Sequence, residues 1–272
     1  MNKKQVVLIT GASSGIGKET AKLLLQDDYI VYAAARRVEK MDDLKALGAI
    51  PIKMDVTHEA ELVGGIQQIK AAHGGVDILI NNAGYGNFAS LEETPIDVAR
   101  AQYEVNVFGM MRLTQLVLPG MRARKSGKII NISSIGGKIV EPFGGWYHST
   151  KFSVEALSDI LRMEVKPFGI DVIIIEPGLI ASDWDNIATQ SLLEISGSGP
   201  YAKAADKSAK MIQSNYKNAS PASGVAKTIY TAIKAKRPKT RYLTGHMARP
   251  LVFIKWLLPD SLFDWAIMNL GG

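Results

Sequence analysis

The stretch Val6-Val7-Leu8-Ile9-Thr10-Gly11-Ala12-Ser13-Ser14-Gly15-Ile16-Gly17 places a glycine-rich turn between a short apolar run and a predicted helix over residues 15–26. Glycine adopts positive φ angles and lets the backbone approach a ligand closely. A helix that begins behind such a turn offers unpaired N–H groups and the positive end of its dipole to a pyrophosphate. The spacing G-x-x-x-G-x-G differs from the commoner G-x-G-x-x-G, so a turn without a ligand stays open as an alternative. The candidate phosphate-binding residues are Gly11, Ser13, Ser14, Gly15, Ile16 and Gly17.

Short apolar runs alternate with longer helical patterns along most of the chain. The runs are near-continuous, as expected for strands that helices cover on both faces, and they lie at residues 6–9, 30–34, 50–54, 78–80, 128–132, 171–175 and 241–244. Further helical patterns lie at residues 58–72, 96–124, 147–167 and 222–236. This alternation predicts an α/β fold: a Rossmann-like, doubly wound parallel sheet of about seven strands in a three-layer α/β/α arrangement. In such sheets the ligand site lies at the carboxyl ends of the strands.

Two segments depart from this alternation. Residues 181–220 are rich in Ser, Asn, Gly, Ala and Lys and contain no clear strand, and we expect them to cover the substrate. Residues 247–270 are apolar, and a helix pair packed on the domain or on a second subunit is the favoured interpretation. An interfacial membrane anchor is the less favoured alternative, because the segment lacks a dense Lys/Arg face. We predict one domain over residues 1–246, with residues 247–272 as its apolar helical extension.

The composition excludes several classes of site. The 272 residues include no cysteine, which excludes disulfides, thiolate metal sites and a cysteine nucleophile, and we predict no metal centre. The net charge of +6 fits surplus surface lysine or attraction to an anionic partner such as a cofactor phosphate. The sequence contains no nucleic-acid-binding module, so nucleic acid is not an expected partner. We see no signal peptide and no membrane span of roughly 18–20 apolar residues, and we expect a cytoplasmic location.

The residues after the second predicted strand indicate which dinucleotide the protein binds. In an NAD site an acidic residue at the end of this strand bonds the ribose 2′-hydroxyl group. Here the strand is followed by Ala35, Arg36 and Arg37, so the acidic residue is absent. Arginine presents a fork of donors that matches phosphate oxygens, and Ala35 leaves room for a 2′-phosphate. We therefore predict a preference for NADP(H), with NAD(H) still allowed; the alternative is that both arginines are solvated loop charges.

A tyrosine and a lysine lie one helical turn apart at Tyr147 and Lys151. Tyrosine has an ordinary pKa of about 10, and a cation at position i+4 favours the phenolate and lowers that pKa, as general acid–base catalysis needs. The spacing alone is not specific, because Tyr230 and Lys234 share it. Only Tyr147 follows a strand-ending serine, Ser134, by thirteen residues. We predict that Tyr147 is functional and that Tyr230 is structural.

Together, the Thr-Gly-x-x-x-Gly-Ile-Gly turn and the Tyr-x-x-x-Lys pair resemble those of the classical short-chain dehydrogenase/reductase (SDR) family, and the resemblance covers residues 6 to about 244. It is closest to bacterial enzymes related to 17β-hydroxysteroid and retinol dehydrogenases. The resemblance implies that Tyr147 transfers a proton to or from the substrate oxygen and that Lys151 lowers the tyrosine pKa and binds the nicotinamide ribose. It implies further that Ser134, rather than its neighbour Ser133, bonds the substrate oxygen. Asn106 would anchor a proton-relaying water, although a polar kink in a helix is the alternative.

The resemblance also implies further cofactor contacts at the ends of three strands. Asp55 would bond the adenine next to Val56, although an ordinary helix-capping aspartate is the alternative. Small residues after the fourth strand would let the backbone lie against the cofactor, and a Pro-Gly turn after the sixth would lie against the nicotinamide. The residues concerned are Asn82, Ala83, Gly84, Pro177, Gly178, Ile180 and Ser182. Ser182 stands where the family usually has threonine, which retains the hydroxyl group.

The predicted function is that of an NADPH-dependent oxidoreductase that interconverts a carbonyl group and an alcohol. The expected substrate is a small apolar ketone, aldehyde or alcohol, because Phe143 and Trp146 precede Tyr147 and would floor an apolar pocket or merely pack the loop. A non-catalytic NADP-binding regulator of the same fold is the alternative. The resemblance implies a homodimer or homotetramer, built through the helices near residues 96–124 and 147–167.

Overall fold

A parallel sheet forms the middle layer of the structure, a computed structural model that describes residues 4–182 and 184–270. Within these residues seven strands pair side by side in the order β3-β2-β1-β4-β5-β6-β9, every pair parallel. Their bounds are β1 Gln5–Thr10, β2 Tyr29–Ala35, β3 Ile50–Lys53, β4 Ile78–Asn81, β5 Gly127–Ile132, β6 Ile170–Pro177 and β9 Arg241–Thr244. Most strand residues are buried because helices cover both faces of the sheet. The predicted doubly wound α/β fold is confirmed.

Helices form the two outer layers, and successive residues of each strand point to opposite layers. Val7 and Ile9 of β1 belong to the core beneath α1, α2 and α9, whereas Val6 and Leu8 belong to the core beneath α3, α5 and α6. The helix bounds are α1 Gly15–Leu25, α2 Asp42–Ala46, α3 Glu59–His73, α4 Ile96–Tyr103, α5 Met110–Arg124, α6 Gly145–Val165 and α9 Ala222–Lys234. This is the predicted three-layer arrangement.

The predicted helix over residues 96–124 is continuous but not uniform. Between α4 and α5 the backbone widens into a π-helical segment, Glu104–Gly109, which contains Asn106. Widened turns of this kind add a residue to the helix and often occur at functional sites. The widening is the local distortion that a polar kink at Asn106 predicted.

Two helices occupy the segment expected to cover the substrate. α7 spans Trp184–Ser196 and α8 spans Ala202–Tyr216, and two short strands, β7 Ile180–Ala181 and β8 Ser220–Pro221, pair at its ends. The sequence pattern did not reveal these helices, because their polar composition hides a short apolar stripe. That stripe is Ala188 and Leu192 in α7, and Ala205, Ala209 and Ile212 in α8.

The C-terminal segment is a helix pair, α10 Ala248–Leu257 and α11 Asp260–Leu270. Ala248 and Phe263 are buried against Ile135 and Ile139, in the turn that follows β5. The pair therefore packs on the same body as the sheet, which is the favoured interpretation of this segment. Within residues 4–182 and 184–270, no helix combines the length and apolar character that crossing a bilayer requires.

Strand order reverses at β1, whose neighbours are β2 on one side and β4 on the other. The connections that follow β1 and β4 cross to opposite faces of the sheet, which leaves a crevice at the carboxyl ends of these two strands. The glycine-rich turn follows β1, and the Asn82-Ala83-Gly84 segment follows β4, which ends at Asn81. The topology thus brings the predicted cofactor segments to one edge of the sheet.

Candidate active site

The glycine-rich turn is shaped by close packing on one side and is open on the other. Gly11 has a φ of +66°, and a Cβ at Gly17 would lie 2.5 Å from the carbonyl oxygen of Gly11. A Cβ at Gly15, with its φ of +52°, would meet only Ser182, at 3.9 Å. Gly11 and Gly17 are therefore required by the fold, whereas Gly15 faces the crevice.

Helix α1 begins at Gly15 with its first N–H groups directed towards this crevice. Ser14 precedes the helix in extended conformation, and among the described residues no side-chain hydrogen bond caps the helix there. Ser14 is exposed, and Ser13 and Ile16 are half-buried. An uncapped helix N-terminus beside an open turn suits an anionic group, so the arrangement fits a cofactor pyrophosphate.

Asn82 ties the turn to the neighbouring strand. Its side-chain amide donates to the carbonyl oxygens of Thr10 and Gly11 at 3.0 and 3.3 Å. The backbone N–H groups of Asn82 and Ala83 both donate to the hydroxyl oxygen of Thr10 at 3.0 Å. Gly84 follows, exposed, and a Cβ there would lie 3.1 Å from Asn106 Oδ1 and 3.9 Å from Lys151 Nζ. The segment therefore joins the phosphate-binding turn to the catalytic candidates.

Arg36 and Arg37 follow β2 at the rim of the crevice, and both are exposed. In the part of the chain that the structure describes, neither guanidinium group has a hydrogen bond or an ion pair. Burial acts to raise the pKa of the Asp55 carboxyl, but hydrogen bonds from Thr57 and the charge of Arg36 hold it below its ordinary value. Arg36 thus lies within electrostatic range of the predicted adenine-binding residue, as expected if both face one nucleotide.

Asp55 is not the cap of the following helix. Its Oδ1 accepts hydrogen bonds from the backbone N–H and the hydroxyl group of Thr57, at 3.0 and 2.8 Å, whereas α3 begins only at Glu59, after His58. The capping alternative is therefore wrong, and the contact with adenine stays a prediction. The next residue, Val56, is buried, and its carbonyl oxygen would lie 2.5 Å from a Cβ at Gly109.

The Pro177-Gly178 turn closes the far side of the crevice. A Cβ at Gly178 would lie 2.0 Å from the carbonyl oxygen of His246. The backbone at His246 therefore leaves no room for a side chain at position 178. Ile180 is buried in β7, and the Ser182 hydroxyl donates to the Ile180 carbonyl oxygen at 3.4 Å. Ser182 stands opposite the open face of Gly15, so the two cofactor segments meet across the crevice.

The four catalytic candidates come together at the carboxyl end of β5. Ser134 accepts a hydrogen bond from the Gly136 N–H at 3.0 Å and faces the Tyr147 phenol as a hydrogen-bonding neighbour. Lys151 Nζ donates to the Ile132 carbonyl oxygen at 2.9 Å and lies 5.9 Å from the centre of the Tyr147 ring.

The rival serine, Ser133, has no hydrogen bond to Tyr147 in the described part of the chain. It is buried, and its Oγ has no hydrogen-bond partner within the described residues.

Asn106 is held by three hydrogen bonds inside the π-helical segment. Its Oδ1 accepts from the Tyr85 N–H at 3.1 Å, and its Nδ2 donates to the Tyr85 carbonyl oxygen at 2.9 Å and to Thr150 Oγ1 at 3.1 Å. The side chain therefore couples the loop after β4 to helix α6, next to Lys151. Its predicted role in anchoring a water stays a prediction.

The charge states at this site differ from those that the sequence predicts. Burial raises the pKa of the Tyr147 phenol to about 12, with the Ser134 hydrogen bond opposing the rise and the Glu141 carboxylate adding to it. Burial also lowers the pKa of the Lys151 ammonium to about 8. The net shift of the tyrosine pKa is therefore upward, opposite to the lowering expected from Lys151, because burial of the phenol outweighs the Ser134 hydrogen bond. At neutral pH the phenol is protonated and the lysine is charged.

An aromatic wall that the sequence pattern did not reveal encloses Tyr147. Phe88 and Trp184 lie 5.8 and 5.4 Å from the Tyr147 ring, and Tyr216 stacks on Trp184 at 5.5 Å, measured between ring centres. Phe143 joins this cluster, whereas Trp146 packs against Tyr103 elsewhere. Of the two aromatic residues proposed to floor the pocket, Phe143 therefore packs against the cluster that contains Tyr147, whereas Trp146 packs against Tyr103.

The second Tyr-x-x-x-Lys pair has a structural role. The Tyr230 hydroxyl donates to the Asp27 carboxylate at 2.7 Å, and Lys234 Nζ bonds the same oxygen at 2.9 Å. These contacts fasten α9 to the turn between α1 and β2, at the amino ends of the strands. The pair lies far along the sheet from the crevice, as the absence of an upstream serine predicted.

Comparisons with known proteins agree with this geometry. The family model described as short chain dehydrogenase matches residues 5–191. The chain is 36% identical to the probable short-chain type dehydrogenase/reductase VdlC of Helicobacter pylori, with 95% of each chain covered. It is 35% identical to the 3-ketodihydrosphingosine reductase of Bacteroides thetaiotaomicron, covering 97% of this chain and 96% of the relative. It is also 32% identical to the NADPH-dependent 3-dehydrocapnine reductase of Ornithobacterium rhinotracheale, covering 94% of each.

Solved structures resemble the fold over nearly its whole length. A short-chain dehydrogenase from Streptomyces avermitilis superposes with a TM-score of 0.83 at 33% identity, covering 98% of this chain and 96% of the other. The closed form of a serine dehydrogenase complexed with NADP+ gives a TM-score of 0.76 at 26% identity, covering 87% and 93%.

Proposed function

Because the chain belongs to the short-chain dehydrogenase/reductase family of oxidoreductases, which use NAD(P)(H), we propose that it reduces the carbonyl group of a small, largely apolar ketone or aldehyde with NADPH. The observation that carries this proposal is the cluster of Ser134, Tyr147 and Lys151 beside the glycine-rich turn. The same residues would oxidise the corresponding alcohol in reverse.

The residues at the crevice fit a 2′-phosphorylated dinucleotide. The start of α1 would bind the pyrophosphate, and the guanidinium groups of Arg36 and Arg37 would bind the 2′-phosphate. No acidic residue stands at the end of β2 to repel that phosphate. When bound, the nicotinamide supplies the hydride. Relatives named as an NADPH-dependent reductase and as an NADP+ complex support this cofactor.

The protein's own residues handle the proton and the substrate oxygen. Ser134 and Tyr147 would donate hydrogen bonds to the carbonyl oxygen, and the phenol, protonated at neutral pH, would give its proton to the developing alkoxide. Lys151, charged below a pH of about 8, would bind the ribose and resupply the proton. The raised pKa makes the phenol a weaker acid than an ordinary tyrosine, but it keeps the proton-donating form present at neutral pH, which supports the reductive direction. Two relatives are also described as reductases.

We further propose that residues 1–246 act as one cofactor-binding domain. Helices α7 and α8 would cover the substrate, since Trp184 and Tyr216 stand over Tyr147. The cytoplasmic location and the homo-oligomeric state expected from the sequence stay predictions.

The reaction class is tested by NADPH oxidation over a panel of apolar ketones and aldehydes. Tyr147→Phe should lower kcat by about 10²–10⁴, the usual contribution of a general acid, while NADPH still binds. Tyr230→Phe is the matched control, since it removes the hydroxyl of the structural Tyr-x-x-x-Lys pair, and it should keep the wild-type kcat. Equal turnover by wild type and Tyr147→Phe would refute the catalytic assignment and favour the non-catalytic regulator.

Cofactor preference is tested without any substrate, by titrating the protein with NADPH and NADH and following cofactor fluorescence. NADPH should bind at least about tenfold more tightly, a difference of about 1.4 kcal/mol. Arg36→Asp should reduce that ratio, whereas Arg237→Asp, at an exposed position before β9, should leave it unchanged. If Arg36→Asp keeps the wild-type ratio of NADPH to NADH affinity, Arg36 does not bind the 2′-phosphate.

A further inference from the structure

Glu155 is a buried carboxylate that packs against the turn begun by Ser134. This turn is a single 3-10 turn over Ile135–Gly137, and Glu155 lies in α6, one helical turn after Lys151. A Cβ at Gly137 would lie 2.9 Å from Glu155 Cγ and 3.0 Å from the Lys151 carbonyl oxygen. Because Gly137 has no side chain to separate them, α6 and the turn are in direct contact through Glu155.

Two cations bind the same oxygen of Glu155. Lys138, the residue that follows the turn, brings its Nζ within 3.0 Å of Glu155 Oε2. Arg241 of β9 donates from Nε to that oxygen, also at 3.0 Å. The backbone N–H of Lys138 donates to the Ile135 carbonyl oxygen at 2.8 Å, so the lysine is part of the turn as well as a partner of the carboxylate. Charge-assisted bonds of this kind are strong, and they fasten the end of the turn to α6 and to the edge strand.

The other oxygen of Glu155 is matched by a second acid. Glu155 Oε1 and Glu176 Oε1 are both buried without a hydrogen-bond donor among the described residues, and the two carboxyl groups are hydrogen-bonding neighbours. Two carboxyl groups bond each other only when one carries a proton. Burial raises the pKa of Glu176 to about 7, so Glu176 holds that proton below this pH and Glu155 is the charged member. Glu176 directly precedes Pro177, whose carbonyl oxygen lies 3.5 Å from the Ser134 hydroxyl oxygen.

We propose that Glu155 is a positioning residue that holds Ser134 against the Tyr147 phenol during carbonyl reduction. By binding Lys138 and packing on Gly137, the carboxylate fixes the backbone to which the Ser134 side chain is bonded. Ser134 then reorganises little when it donates to the substrate oxygen, and donors preorganised in this way stabilise the transition state best. The charge matters as well as the shape, because a neutral amide binds an ammonium group less strongly than a carboxylate does. The inference rests on the proposed carbonyl reduction and adds to it a residue that acts through Ser134.

The kinetic test is a double-mutant cycle between Glu155 and Ser134, measured at pH 7 with a ketone that the wild type reduces. Glu155→Gln keeps the shape of the side chain and removes its charge, and it should lower kcat about tenfold with little change in KM, since a misplaced donor is lost mainly in the transition state. In a Ser134→Ala background the same change should cost less than about twofold, because the serine that it positions is already absent. An unchanged kcat in Glu155→Gln would overturn the proposal. So would a loss of about tenfold in both backgrounds, because Glu155 would then act through another group such as Lys151.

Two further variants separate positioning from stability. Asp159 lies one turn further along α6 and accepts from Arg241 Nη2 at 2.6 Å, but within the described residues no hydrogen bond or ion pair joins it to the turn. Asp159→Asn should therefore keep the wild-type kcat even if it lowers the free energy of unfolding. Lys138→Met removes the cation at the end of the turn, where the side chain is 31% exposed, and should lower kcat as Glu155→Gln does. Equal losses in Asp159→Asn and Glu155→Gln, or a wild-type kcat in Lys138→Met, would overturn the proposal.

A spectroscopic measurement separates this inference from the proposed function, because it needs no substrate. Burial raises the pKa of the Tyr147 phenol and the Ser134 hydrogen bond opposes the rise, so the ¹³Cζ signal of Tyr147, assigned in labelled protein by Tyr147→Phe, reports that contact. Ser134→Ala and Glu155→Gln should move the signal in the same direction, and Asp159→Asn should leave it in place. An unmoved signal in Glu155→Gln would overturn the positioning role even if ketones are reduced with NADPH. A moved signal in a chain that turns over no carbonyl compound would support the role and contradict the proposed function instead.

Discussion

Two identical residue pairs in this chain acquire opposite roles from their surroundings. Tyr147 and Lys151 are buried among apolar side chains at the carboxyl edge of the sheet, so their pKa values move to about 12 and about 8. Tyr230 and Lys234 lie at the surface and bond the Asp27 carboxylate, whose pKa falls to about 2 because of these hydrogen bonds. Reactivity at this scale therefore depends on desolvation and neighbours rather than on the spacing of the two residue types.

The pH dependence of reduction should report the Lys151 ammonium. Because its pKa is lowered to about 8, the charged form is present below that pH and is lost as the pH rises through it. The Tyr147 phenol, with a pKa of about 12, stays protonated throughout this range. We expect kcat/KM for ketone reduction to be level near pH 7 and to fall about tenfold per unit well above pH 8.

The matched variant is Lys151→Arg, which holds its charge over the whole range. Its activity should be lower, because a guanidinium group does not reproduce the geometry of an ammonium group, but its profile should be level between pH 7 and about pH 10. If the wild-type rate instead rises between pH 7 and pH 9, the reaction depends on a group that must lose a proton, and not on the charged form of Lys151.

Sequence alone predicted the residues whose roles depend on local pattern. The glycine-rich turn, Ser134 and the Tyr147–Lys151 pair lie next to recognisable strands or within one helix. Glu141 and the aromatic wall were missed, because Phe88, Tyr147 and Trp184 meet only when three separate segments fold together. The pKa of Tyr147 was predicted in the wrong direction for the same reason, since the helical spacing says nothing about burial.

At the scale of elements, a buried ion network joins helix α6 to strands β6 and β9. Arg241 Nε lies 3.0 Å from Glu155 Oε2 and 3.4 Å from Glu176 Oε1, and Lys138 Nζ lies 3.0 Å from the same Glu155 oxygen. Both glutamates are almost fully buried. Burial raises the pKa of the Glu176 carboxyl to about 7, and the nearby Glu155 charge raises it further. The edge strand β9 thus contributes the principal counter-charge for two acids beneath it.

Removal of that counter-charge should weaken the fold. Arg241→Ala leaves Glu155 and Glu176 with Lys138 alone, and breaking a buried ion pair costs about 3–5 kcal/mol, so we expect the free energy of unfolding to fall by about 3 kcal/mol. The loss should be larger at pH 8 than at pH 6, because Glu176 ionises as the pH rises through about 7. Urea unfolding at both pH values measures it.

Arg162→Ala is the control for this measurement. Arg162 pairs with Asp159 at 3.1 Å, where the two side chains are 35% and 34% exposed, so its loss should cost under about 1 kcal/mol. Equal effects of the two variants would mean that the network does not stabilise the edge strand.

Element prediction succeeded where the apolar pattern is strong and failed where it is sparse. The strands were found because burial on both faces makes each one a nearly continuous apolar run. Helices α7 and α8 were missed because each buries only a narrow stripe, such as Ala205, Ala209 and Ile212, within a polar sequence. The π-helical widening at Asn106 depends on its hydrogen bonds to Tyr85 and Thr150, which are distant in sequence.

At the scale of the whole molecule, the helix pair α10–α11 has an apolar outer surface. Trp256 and Trp265 are 79% and 57% exposed, although Phe263 on the inner side is buried against the turn that follows Ser134. If this surface touches lipid, the full chain should float with vesicles of anionic phospholipid and Trp256→Ser/Trp265→Ser should not. The inner contacts are untouched by these changes, so ketone reduction in solution should persist. Failure of the wild-type chain to float would exclude the membrane alternative.

A second apolar surface, on α6 and the π-helical segment, is where we expect a second copy of the chain. Phe152, Ile160 and Met163 are 43%, 51% and 56% exposed on the side of α6 that faces away from the sheet, and Phe108 nearby is 55% exposed. Of these four side chains, Phe108 also lines a surface cavity of about 260 Å³, together with Trp146. A stable interface needs about 800 Å² per partner, and four large exposed apolar side chains suit the centre of such an area.

The oligomeric state tests this surface directly. Phe152→Glu places a charge at its centre, and we expect light scattering after size exclusion to show a smaller assembly than the wild-type dimer or tetramer, since an unpaired buried charge opposes association. Trp256→Glu is the control, because it introduces the same charge on the exposed side of α10. Dissociation by Trp256→Glu but not by Phe152→Glu would move the interface to the C-terminal helix pair. A monomeric wild type would refute both assignments, and would leave the α6 surface exposed for a reason other than self-association.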